Sequence, residues 1–480
     1  MATPLPNHPQ LRGNYAPIQF EAECTDLIVE GKLPEDLEGS LYRVGPNPKF
    51  VPDQGYHWFF GAGMVHAFHF GGGRVNYKNR WARTPKFEAE QAAGKPLPMS
   101  FVTDPETGAM QSDRRNGLAN THIIWHGDQL LALEEGSHPF SMAPDTLAST
   151  GYGHYGADLQ DAMTAHPKID PLTGDLHGFG YMSGGIGSKT MTYHVVGADG
   201  VVKRSERFEA PYAAMVHDFA VTRDYVLFPV FPLTFDLDRM GKIGSPFAFD
   251  KGAGAYIGVL ERDAPVIEMR WIEAPVCFVF HYLNAWNEGK QVTFDAIDFS
   301  VAPNFPDPEG NLPGHAEAQG RLTRWRLDVS TGRIDREPLV DVAAEFPRID
   351  DRFAMGRHRH GFLATASQRQ RGDGGVFHEI THIDLDSGQQ QVWDAGFGSG
   401  VSEPVFVERS KKADEGAGWL LATVFEPDRH TSSLVLLDAV AVADGPVAMV
   451  RLDHRVPFGF HGSWPVSYTH LRAHETRGNL

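Results

Sequence analysis

Short runs of β-forming residues alternate with turn residues along almost the whole chain. Gly-Gly-Gly at 71–73, Asp-Pro-Leu-Thr-Gly-Asp at 170–175 and Asp-Val-Ser-Thr-Gly at 328–332 are examples of the turns. Branched and aromatic runs bounded by such turns are typical of hairpin strands. Helical periodicity is confined to a few pieces, such as residues 87–94. The sequence therefore predicts an all-β protein. The runs lie at residues 41–44, 64–70, 121–133, 192–196, 225–230, 292–299, 322–327 and 419–424.

The pattern of strand, turn and strand recurs without a sharp sequence repeat, which favours a β-propeller with diverged blades. The chain has 480 residues. Seven blades would receive about 70 residues each, which leaves room for loops above one face. No break in composition marks a boundary, so we expect one domain over residues 1–465. Residues 466–480 are polar and histidine-bearing, and they resemble a translated cloning or adapter sequence, so we expect them to lie outside the domain.

The composition excludes several classes of protein. The formal net charge of −18 argues against nucleic-acid binding, because contacts to phosphate need a basic surface. Two cysteines, Cys24 and Cys277, cannot make a disulfide framework, which fits a reducing compartment. The N-terminus lacks the basic and apolar regions of a signal peptide, and no run approaches ~20 apolar residues. We therefore expect a cytoplasmic protein without a membrane span.

Four histidines lie in apolar stretches that are far apart in the chain. His281 lies in an aromatic run at 275–286 that predicts a buried strand, and His166, His217 and His461 have similar neighbours. A buried histidine must satisfy its ring nitrogens or bind something, and a single one is most often a core residue. Four of them suggest convergence on a metal. Spacings of 51 and 64 residues between the first three agree with about one blade per ligand.

Several motifs surround these histidines, and through them nearly the whole chain resembles the carotenoid cleavage oxygenase family, which includes retinal-forming, apocarotenoid, lignostilbene and isoeugenol oxygenases. The resemblance begins with the run at 33–48. The more specific motifs are Gly-Met-Val-His-Ala-Phe-His at 63–69, Thr-Ala-His-Pro at 164–167, Met-Val-His-Asp-Phe at 215–219, Phe-His-Tyr-Leu-Asn-Ala-Trp at 280–286, Glu-Phe-Pro-Arg-Ile-Asp at 345–350, Ser-Glu-Pro at 402–404 and His-Gly-Ser-Trp at 461–464.

The resemblance implies a catalytic Fe(II) on the axis of a seven-bladed propeller, under a cap of loops and short helices. Its four ligands would be His166, His217, His281 and His461. Imidazole suits Fe(II), and four neutral ligands leave positions open for O2.

Other site residues follow from the same resemblance. Glu135, Glu345 and Glu403 would accept the second ring N–H of the ligands, as metal-bound histidines generally require. The alternative for each is a solvated loop acid, and the motif alone selects Glu135 over Glu134. Thr121 matches a threonine that crowds an open iron position in relatives, although it could equally be a strand threonine.

The implied reaction adds both atoms of O2 across one carbon–carbon double bond of a small apolar alkene and gives two carbonyl products. Lignostilbene and isoeugenol relatives grip a phenol with a tyrosine and a lysine, where this chain has Phe101 and Glu134. A buried hydroxyl without partners is costly, so we predict an apocarotenoid or similar conjugated alkene, with a stilbene or isoeugenol substrate as the alternative. Phe59 matches an aromatic residue that stacks on substrate in the lignostilbene and isoeugenol relatives, and it is compatible with either class of substrate.

Two other classes of propeller protein are alternatives to the oxygenase. A calcium-dependent lactonase on a propeller would need carboxylate and amide oxygens rather than histidines. A non-catalytic propeller would need no ligands at all. The apolar stretch at 230–247 either caps the propeller face or forms a patch that touches membranes transiently.

Overall fold

The N-terminal part of the chain forms short strands, most of them paired in hairpins. A computed structural model describes residues 5–52, 56–99, 101–103, 110–152, 155, 159–367 and 377–465. The N-terminal strands are β1 (Glu23–Cys24), β2 (Val29–Gly31), β3 (Gly39–Pro46), β4 (Gly63–Gly71) and β5 (Arg74–Trp81), followed by a small hairpin of β6 (Phe101–Thr103) and β7 (Met110–Ser112).

The middle of the chain supplies most of the blades. Its strands are β8 (His122–His126), β9 (Gln129–Leu133), β10 (Phe140–Met142), β11 (Ser149–Tyr152), β12 (Lys168–Ile169), β13 (Leu176–Gly180), β14 (Thr190–Val196), β15 (Val202–Glu209), β16 (Ala220–Val221), β17 (Tyr225–Val230), β18 (Leu233–Phe235), β19 (Phe247–Phe249), β20 (Ala255–Glu261), β21 (Arg270–Ala274), β22 (Phe278–Glu288), β23 (Gln291–Phe299), β24 (Arg321–Asp328) and β25 (Ile334–Pro338).

The C-terminal part completes the ring. Its strands are β26 (Ala343–Arg348), β27 (His360–Ala366), β28 (Glu379–Asp384), β29 (Gln390–Asp394), β30 (Gly400–Val401), β31 (Val405–Glu408), β32 (Gly418–Glu426), β33 (Thr431–Asp438), β34 (Pro446–Arg451) and β35 (Gly462–Ser463).

Within the described residues these strands form seven sheets of four or more strands, which are the blades of a propeller. Blade 1 has the order β1-β5-β4-β3-β35, and blade 7 has the order β2-β34-β33-β32-β30 with β31 beside β32. The blades between them are formed in chain order by β8 to β11, β12 to β15, β16-β17-β20-β21, β22 to β25 and β26 to β29. The all-β, seven-bladed architecture predicted from the sequence is confirmed.

The ring is closed by strands from both ends of the chain. In blade 1, β35 pairs with β3, so that Tyr42 lies opposite Ser463. In blade 7, β2 pairs with β34, and the Arg451 guanidinium donates to both carboxylate oxygens of Glu30 at 2.9 and 2.6 Å. Because His461 lies directly before β35, this closure also carries His461 to the interior of the ring.

Helices are short, as the weak helical periodicity predicted. α1 (Pro85–Ala93) begins after Thr84, whose hydroxyl accepts the Phe87 N–H at 3.3 Å, and ends at Gly94 with a φ of 65°. α2 spans Met240–Ile243. The 3-10 helices are Pro9–Leu11, Gly13–Tyr15, Trp58–Phe60, Leu237–Arg239, Lys251–Ala253, Val266–Glu268, Asp351–Phe353 and Val442–Asp444.

The apolar stretch at 230–247 forms the hairpin of β18 and β19 with α2 between them. β18 binds the segment before His217, since the Met215 N–H donates to the Leu233 carbonyl at 3.0 Å. Leu237 and Met240 at its tip are each 51% exposed. Contact of this tip with a membrane stays a prediction. No helix in the described ranges combines the length and apolarity that crossing a membrane requires.

The core lies in layers between and within the blades. The largest layer joins blades 4 and 5, where the buried Trp325 and Phe294 rings stack with centroids 5.5 Å apart. Truncating such an aromatic ring costs about 3–5 kcal/mol. This packing is what gives the inner loops fixed positions. The predicted extent of a single domain stays a prediction, and the tail at 466–480 lies outside the described residues.

Candidate metal centre

Four histidines lie at or just before the first strand of their blades. His281 lies within β22, while His166, His217 and His461 precede β12, β16 and β35 by one to three residues. All four rings are mostly buried, and the ligand atoms that they offer lie within 4.8 Å of one another. The four predicted ligands, which span almost 300 residues of sequence (295 between His166 and His461), are thus brought to one point.

The ring nitrogens face one another at short range. His217 Nε2 lies 3.0 Å from His166 Nε2 and 3.3 Å from His281 Nε2. The centroid of the His461 ring is 4.6 Å from that of His166 and 4.7 Å from that of His281. An arrangement in which several Nε2 atoms share one centre is what a bound cation needs.

Carboxylates bind the outer nitrogens of three of these rings. The His281 Nδ1–H donates to Glu345 Oε2 at 2.5 Å, and that of His461 donates to Glu403 Oε1 at 2.9 Å. His217 Nδ1 is bonded to Glu135. Such a carboxylate selects the tautomer whose Nε2 carries a lone pair. In the structure Glu135, and not Glu134, bonds His217, while the role of Glu135 behind a metal ligand stays a prediction.

His166 differs from the other three. No carboxylate bonds its ring within the part of the chain that the structure describes, and its backbone N–H donates to Thr164 Oγ1 at 3.0 Å. Burial, together with electrostatic repulsion from His217 and His461, holds the pKa of His166 well below its usual range. His166 is therefore neutral near pH 7 and able to donate a lone pair.

The charge state of the cluster explains why a cation fits. Burial lowers the pKa of His461 far below 6.5, and the neighbouring His281 and His217 lower it further. Burial also lowers the pKa of His281, but Glu345 outweighs it and raises the pKa overall. With Nδ1–H donated to a carboxylate, His217 and His281 present two lone pairs 3.3 Å apart. These lone pairs repel unless a positive ion lies between them.

Glu345 is aimed by a distortion of its strand. The register between β26 and β27 shifts between Glu345 and Arg348, which is the mark of a bulge. Phe346 within the bulge has a φ of 52°, in the left-handed region that a phenylalanine seldom adopts. Its N–H donates to Glu345 Oε2 at 2.6 Å. The bulge thus turns the carboxylate toward His281.

Thr121 connects two parts of the site. Its carbonyl accepts the His461 N–H at 3.1 Å, and its hydroxyl donates to Asn120 Oδ1 at 2.9 Å. Asn120 in turn donates to the carbonyl of Phe59 at 2.8 Å. These contacts place Thr121 beside the cluster, while its effect on an open metal position stays a prediction.

Phe59 belongs to an aromatic wall beside the histidines. Its ring lies 5.5 Å from that of Phe460 and 6.5 Å from that of Phe280, both between centroids. Phe280 in turn lies 5.1 Å from His217, and Phe460 directly precedes His461. A planar conjugated molecule could pack against this wall.

The other two predicted substrate residues are less informative. Phe101 lies on β6, with its backbone opposite Ser112, and its side chain lies outside the described part of the structure. Glu134 accepts the Gly136 N–H at 3.1 Å, and burial raises the pKa of its carboxyl. Glu134 does not bond any of the four histidines.

Several residues near the centre escaped the sequence analysis. Tyr181 donates to Glu135 Oε2 at 2.7 Å, and Arg348 donates to the carbonyl of Gly462 at 3.0 Å. The His122 ring lies 5.2 Å from that of His461, and its Nδ1–H donates to the Ala165 carbonyl at 2.9 Å. Burial lowers the pKa of His122 to about 3. The position of His122, directly after Thr121, was the one available signal.

A propeller with buried imidazoles converging at its centre, three of them backed by carboxylates, has a histidine cluster that could hold a metal ion. Residues 15–465 match the model of the retinal pigment epithelial membrane protein family, so the chain belongs to that family, the carotenoid cleavage oxygenases. The resemblance found in the sequence is confirmed. The chain is an enzyme, a dioxygenase acting on a carbon–carbon double bond, as predicted.

The similarity to individual relatives extends over the full length. The chain is 38% identical to an isoeugenol monooxygenase of Pseudomonas putida, covering 97% of this chain and 99% of the relative. A crystal structure of Pseudomonas brassicacearum lignostilbene dioxygenase superposes with a TM-score of 0.90 at 34% identity, covering 96% of this chain and 99% of that one. A Synechocystis apocarotenoid oxygenase mutant (Glu150Gln) gives a TM-score of 0.82 at 29% identity, covering 96% and 99%.

Proposed function

We propose that this enzyme is a non-haem iron(II) dioxygenase that cleaves the side-chain double bond of a phenylpropanoid or stilbene-type aryl alkene. The reaction consumes one O2 and one C=C bond and yields two C=O groups, so that all atoms balance. The observation that carries the proposal is the convergence of His166, His217, His281 and His461, with carboxylates behind three of them.

The donor set supports iron(II). Four neutral imidazoles suit a divalent transition ion and disfavour Ca2+ or Mg2+, which prefer oxygen. This makes the lactonase alternative a poor fit. When bound by these residues, iron(II) would supply the redox chemistry that lets O2 react with an alkene.

The chain's own residues would position the reactants. Glu135, Glu345 and Glu403 hold three of the imidazoles in one tautomer and one orientation, which would keep their donor nitrogens in place for the ion. Phe59, with the adjacent aromatic wall, would hold a flat conjugated substrate and exclude water. No side chain is required to act as a general acid or base in this reaction.

The choice of an aryl alkene departs from the apocarotenoid that the sequence favoured. Relatives at 38% and 36% identity are named isoeugenol monooxygenases, and the lignostilbene dioxygenase structure superposes with a higher TM-score than the apocarotenoid oxygenase, 0.90 against 0.82. Both comparisons cover almost the entire chain and so include the residues around the centre.

Glu134 bears on the polar end of such a substrate. A buried carboxyl can accept a hydrogen bond from a neutral phenol, whereas a lysine at this position would donate one. Burial raises the pKa of Glu134, which favours the neutral carboxyl, and this form can both donate and accept. We therefore expect recognition of a phenol to differ here from relatives with lysine.

An apocarotenoid remains the second candidate. Phe101 and Glu134 replace the tyrosine and lysine with which the phenol-cleaving relatives grip their substrates, and solved apocarotenoid oxygenase structures share the fold at 29–30% identity.

The deciding experiment is product analysis by mass spectrometry with iron(II)-loaded protein in air. Isoeugenol, 4-O-methyl isoeugenol, a hydroxystilbene and an apocarotenal would be offered in parallel. Aromatic aldehydes from the first three are expected, and a drop for the methyl ether would indicate that the phenol is recognised. Products from the apocarotenal alone would select the second candidate. The absence of any product from protein with a full complement of iron would overturn the proposal.

A further inference from the structure

A second group of metal-binding side chains lies in blade 6, apart from the four central histidines. His378, Glu379 and Asp394 offer ligand atoms that all lie within 4.8 Å of one another. We propose that these residues form a second divalent cation site, selective for Zn2+ or a similar transition ion. The proposal does not depend on the substrate or on the reaction at the central site.

The sheet itself forces the two carboxylates together. Glu379 begins β28, and Asp394 ends β29 directly opposite it in the antiparallel register. Side chains at directly opposed positions project to the same face of a sheet. Glu379 and Asp394 can therefore offer carboxylate oxygens to one point.

His378 supplies the observation that points to a ligand. Its side chain is 5% exposed, and among the described residues its buried Nε2 atom has no hydrogen-bond partner. Nε2 lies 3.4 Å from Glu379 Oε1, yet this contact lacks hydrogen-bond geometry. A buried imidazole nitrogen normally has a partner. Both atoms are therefore better placed to share a third partner than to bond each other.

The spacing suits a small tetrahedral ion. With metal–ligand distances of about 2.1 Å, two ligand atoms of such an ion lie about 3.4 Å apart. The His378–Glu379 distance of 3.4 Å agrees with this value, and the 4.8 Å limit on the whole group needs only a small side-chain adjustment. One imidazole with two carboxylates suits Zn2+ or Mn2+, while soft ions would need sulfur.

Neighbouring groups orient the carboxylates. Thr365 Oγ1 donates to Glu379 Oε2 at 3.2 Å, and the Gly396 N–H donates to an Asp394 oxygen, Oδ1, at 2.8 Å. These two hydrogen bonds restrain the carboxylates. Hydrogen bonds of this kind to metal-binding carboxylates commonly fix their direction.

The site would connect mechanically to the central cluster. Phe377, next to His378, packs edge-on against Phe346 with ring centroids 6.2 Å apart. Phe346 lies 5.8 Å from the His281 ring and 5.5 Å from that of His461. An ion at His378 would therefore restrain the strand end that supports the Glu345 bulge, which gives it a structural role.

The test measures zinc binding to iron-loaded protein by equilibrium dialysis and determines zinc and iron per chain. The variants are Asp394→Asn and His378→Gln, and the control is Asp335→Asn, which removes an exposed carboxylate from the outer strand of blade 5. Histidines outside the site, including those of the tail, are common to all four proteins and cancel in the comparison.

We expect one additional zinc in the unmodified protein and the control with iron retained, and at least tenfold weaker binding in both site variants. The melting temperature should rise with zinc only where the site is intact, because a ligand of the folded state stabilises it. Equal zinc affinity in all four proteins would overturn the proposal. So would zinc uptake matched by loss of iron, which would indicate that only the central site binds zinc. Circular dichroism would verify that the exposed Asp394→Asn variant is folded.

Discussion

Histidines at the centre of the propeller and histidines inside its blades are equally buried, but they differ in their partners. Central His281 and His461 donate Nδ1–H to carboxylates, Glu345 and Glu403. In the blades, His66 and His177 instead bond the hydroxyls of tyrosines, each at 2.7 Å through Nδ1. Burial therefore does not distinguish a candidate ligand from a core residue. An Nε2 aimed at a shared point does, and at three of the four central histidines a carboxylate at Nδ1 accompanies it.

The same difference appears in the charge on the rings. Burial holds the pKa of His66 well below its usual range, and it lowers the pKa of His177 to about 4. At His281 burial acts in the same direction, but the charge of Glu345 reverses the outcome. The blade histidines His66 and His177 are thus kept as neutral packing groups, whereas Glu345 gives the central His281 a negative environment that favours a cation.

The largest expected effect is the loss of the metal when a central histidine is removed. His281→Ala should reduce iron affinity by more than about 100-fold, because a ligand contributes more than the outer-shell partners whose loss costs about 10–100-fold. His66→Gln is the matched control from a blade and should retain iron. Iron per chain, measured after reconstitution, checks both. An iron-replete and active His281→Ala protein would contradict the ligand assignment.

A smaller effect is expected from the carboxylates behind the ligands. Glu345→Gln should weaken iron binding by about 10–100-fold, because the amide no longer supplies the negative charge that orients His281. Glu337→Gln, which alters an exposed carboxylate of blade 5, serves as the control. If both variants bind iron as the unmodified protein does, Glu345 has only a packing role.

Acid should destabilise the blades through their neutral histidines. The folded-state pKa of His177, about 4, lies below the unfolded value of ~6.5 because of burial and the nearby Arg262. Below pH 6.5 His177 therefore binds a proton in the unfolded chain but not in the folded protein. As a result the unfolding free energy falls by up to about 1.4 kcal/mol per pH unit for this group until pH 4. Above pH 6.5 His177 contributes no pH dependence.

Urea unfolding of the metal-free protein between pH 7.5 and 4.5 measures this slope. His177→Gln should show a shallower fall in unfolding free energy than the unmodified protein. Burial raises the pKa of Asp170, but the Leu172 N–H and Arg262 outweigh it and lower the pKa overall. Asp170 therefore adds a fall of its own only near the acid end of the range, and both proteins share this contribution. Identical slopes for the two proteins would exclude His177 as a source of acid sensitivity.

The smallest effect concerns the hydroxyl partner of a blade histidine. Tyr77→Phe removes the partner of His66 Nδ1 and leaves a buried polar nitrogen, which should cost about 1–3 kcal/mol of stability. Iron content should not change. Denaturation and metal analysis of the same sample check both statements, and a loss of iron would mean that the two sets of histidines are coupled.

Much of the fold followed from the sequence because its signals are local. Turn clusters such as residues 170–175 and the apolar run that became β22 depend on neighbouring residues only, and they predicted hairpins without any knowledge of the partner strands. α1 was anticipated as residues 87–94, and it begins two residues earlier because Thr84 caps it. The motifs identified the family for the same reason, because each lies in one short segment.

Other features have no local signal. The bulge at Glu345, the contact of Tyr181 with Glu135 and the meeting of His378 with Asp394 each require strands distant in sequence to be aligned in one register. The substrate class has no local signal either. Phe101 and Glu134 alone favour an apocarotenoid, whereas the full-length similarities favour an aryl alkene.

The sequence by itself determined that the chain is a β-propeller with four histidines in oxygenase motifs, because strand formation and motif identity depend on adjacent residues. Only the tertiary structure decided which buried histidines converge. His66 and His217 have similar apolar neighbours, but ring closure by β35 and the pairing of the blades direct the Nε2 of His217, and not that of His66, toward the common centre. The direction of a side chain depends on long-range packing, which a local pattern does not contain.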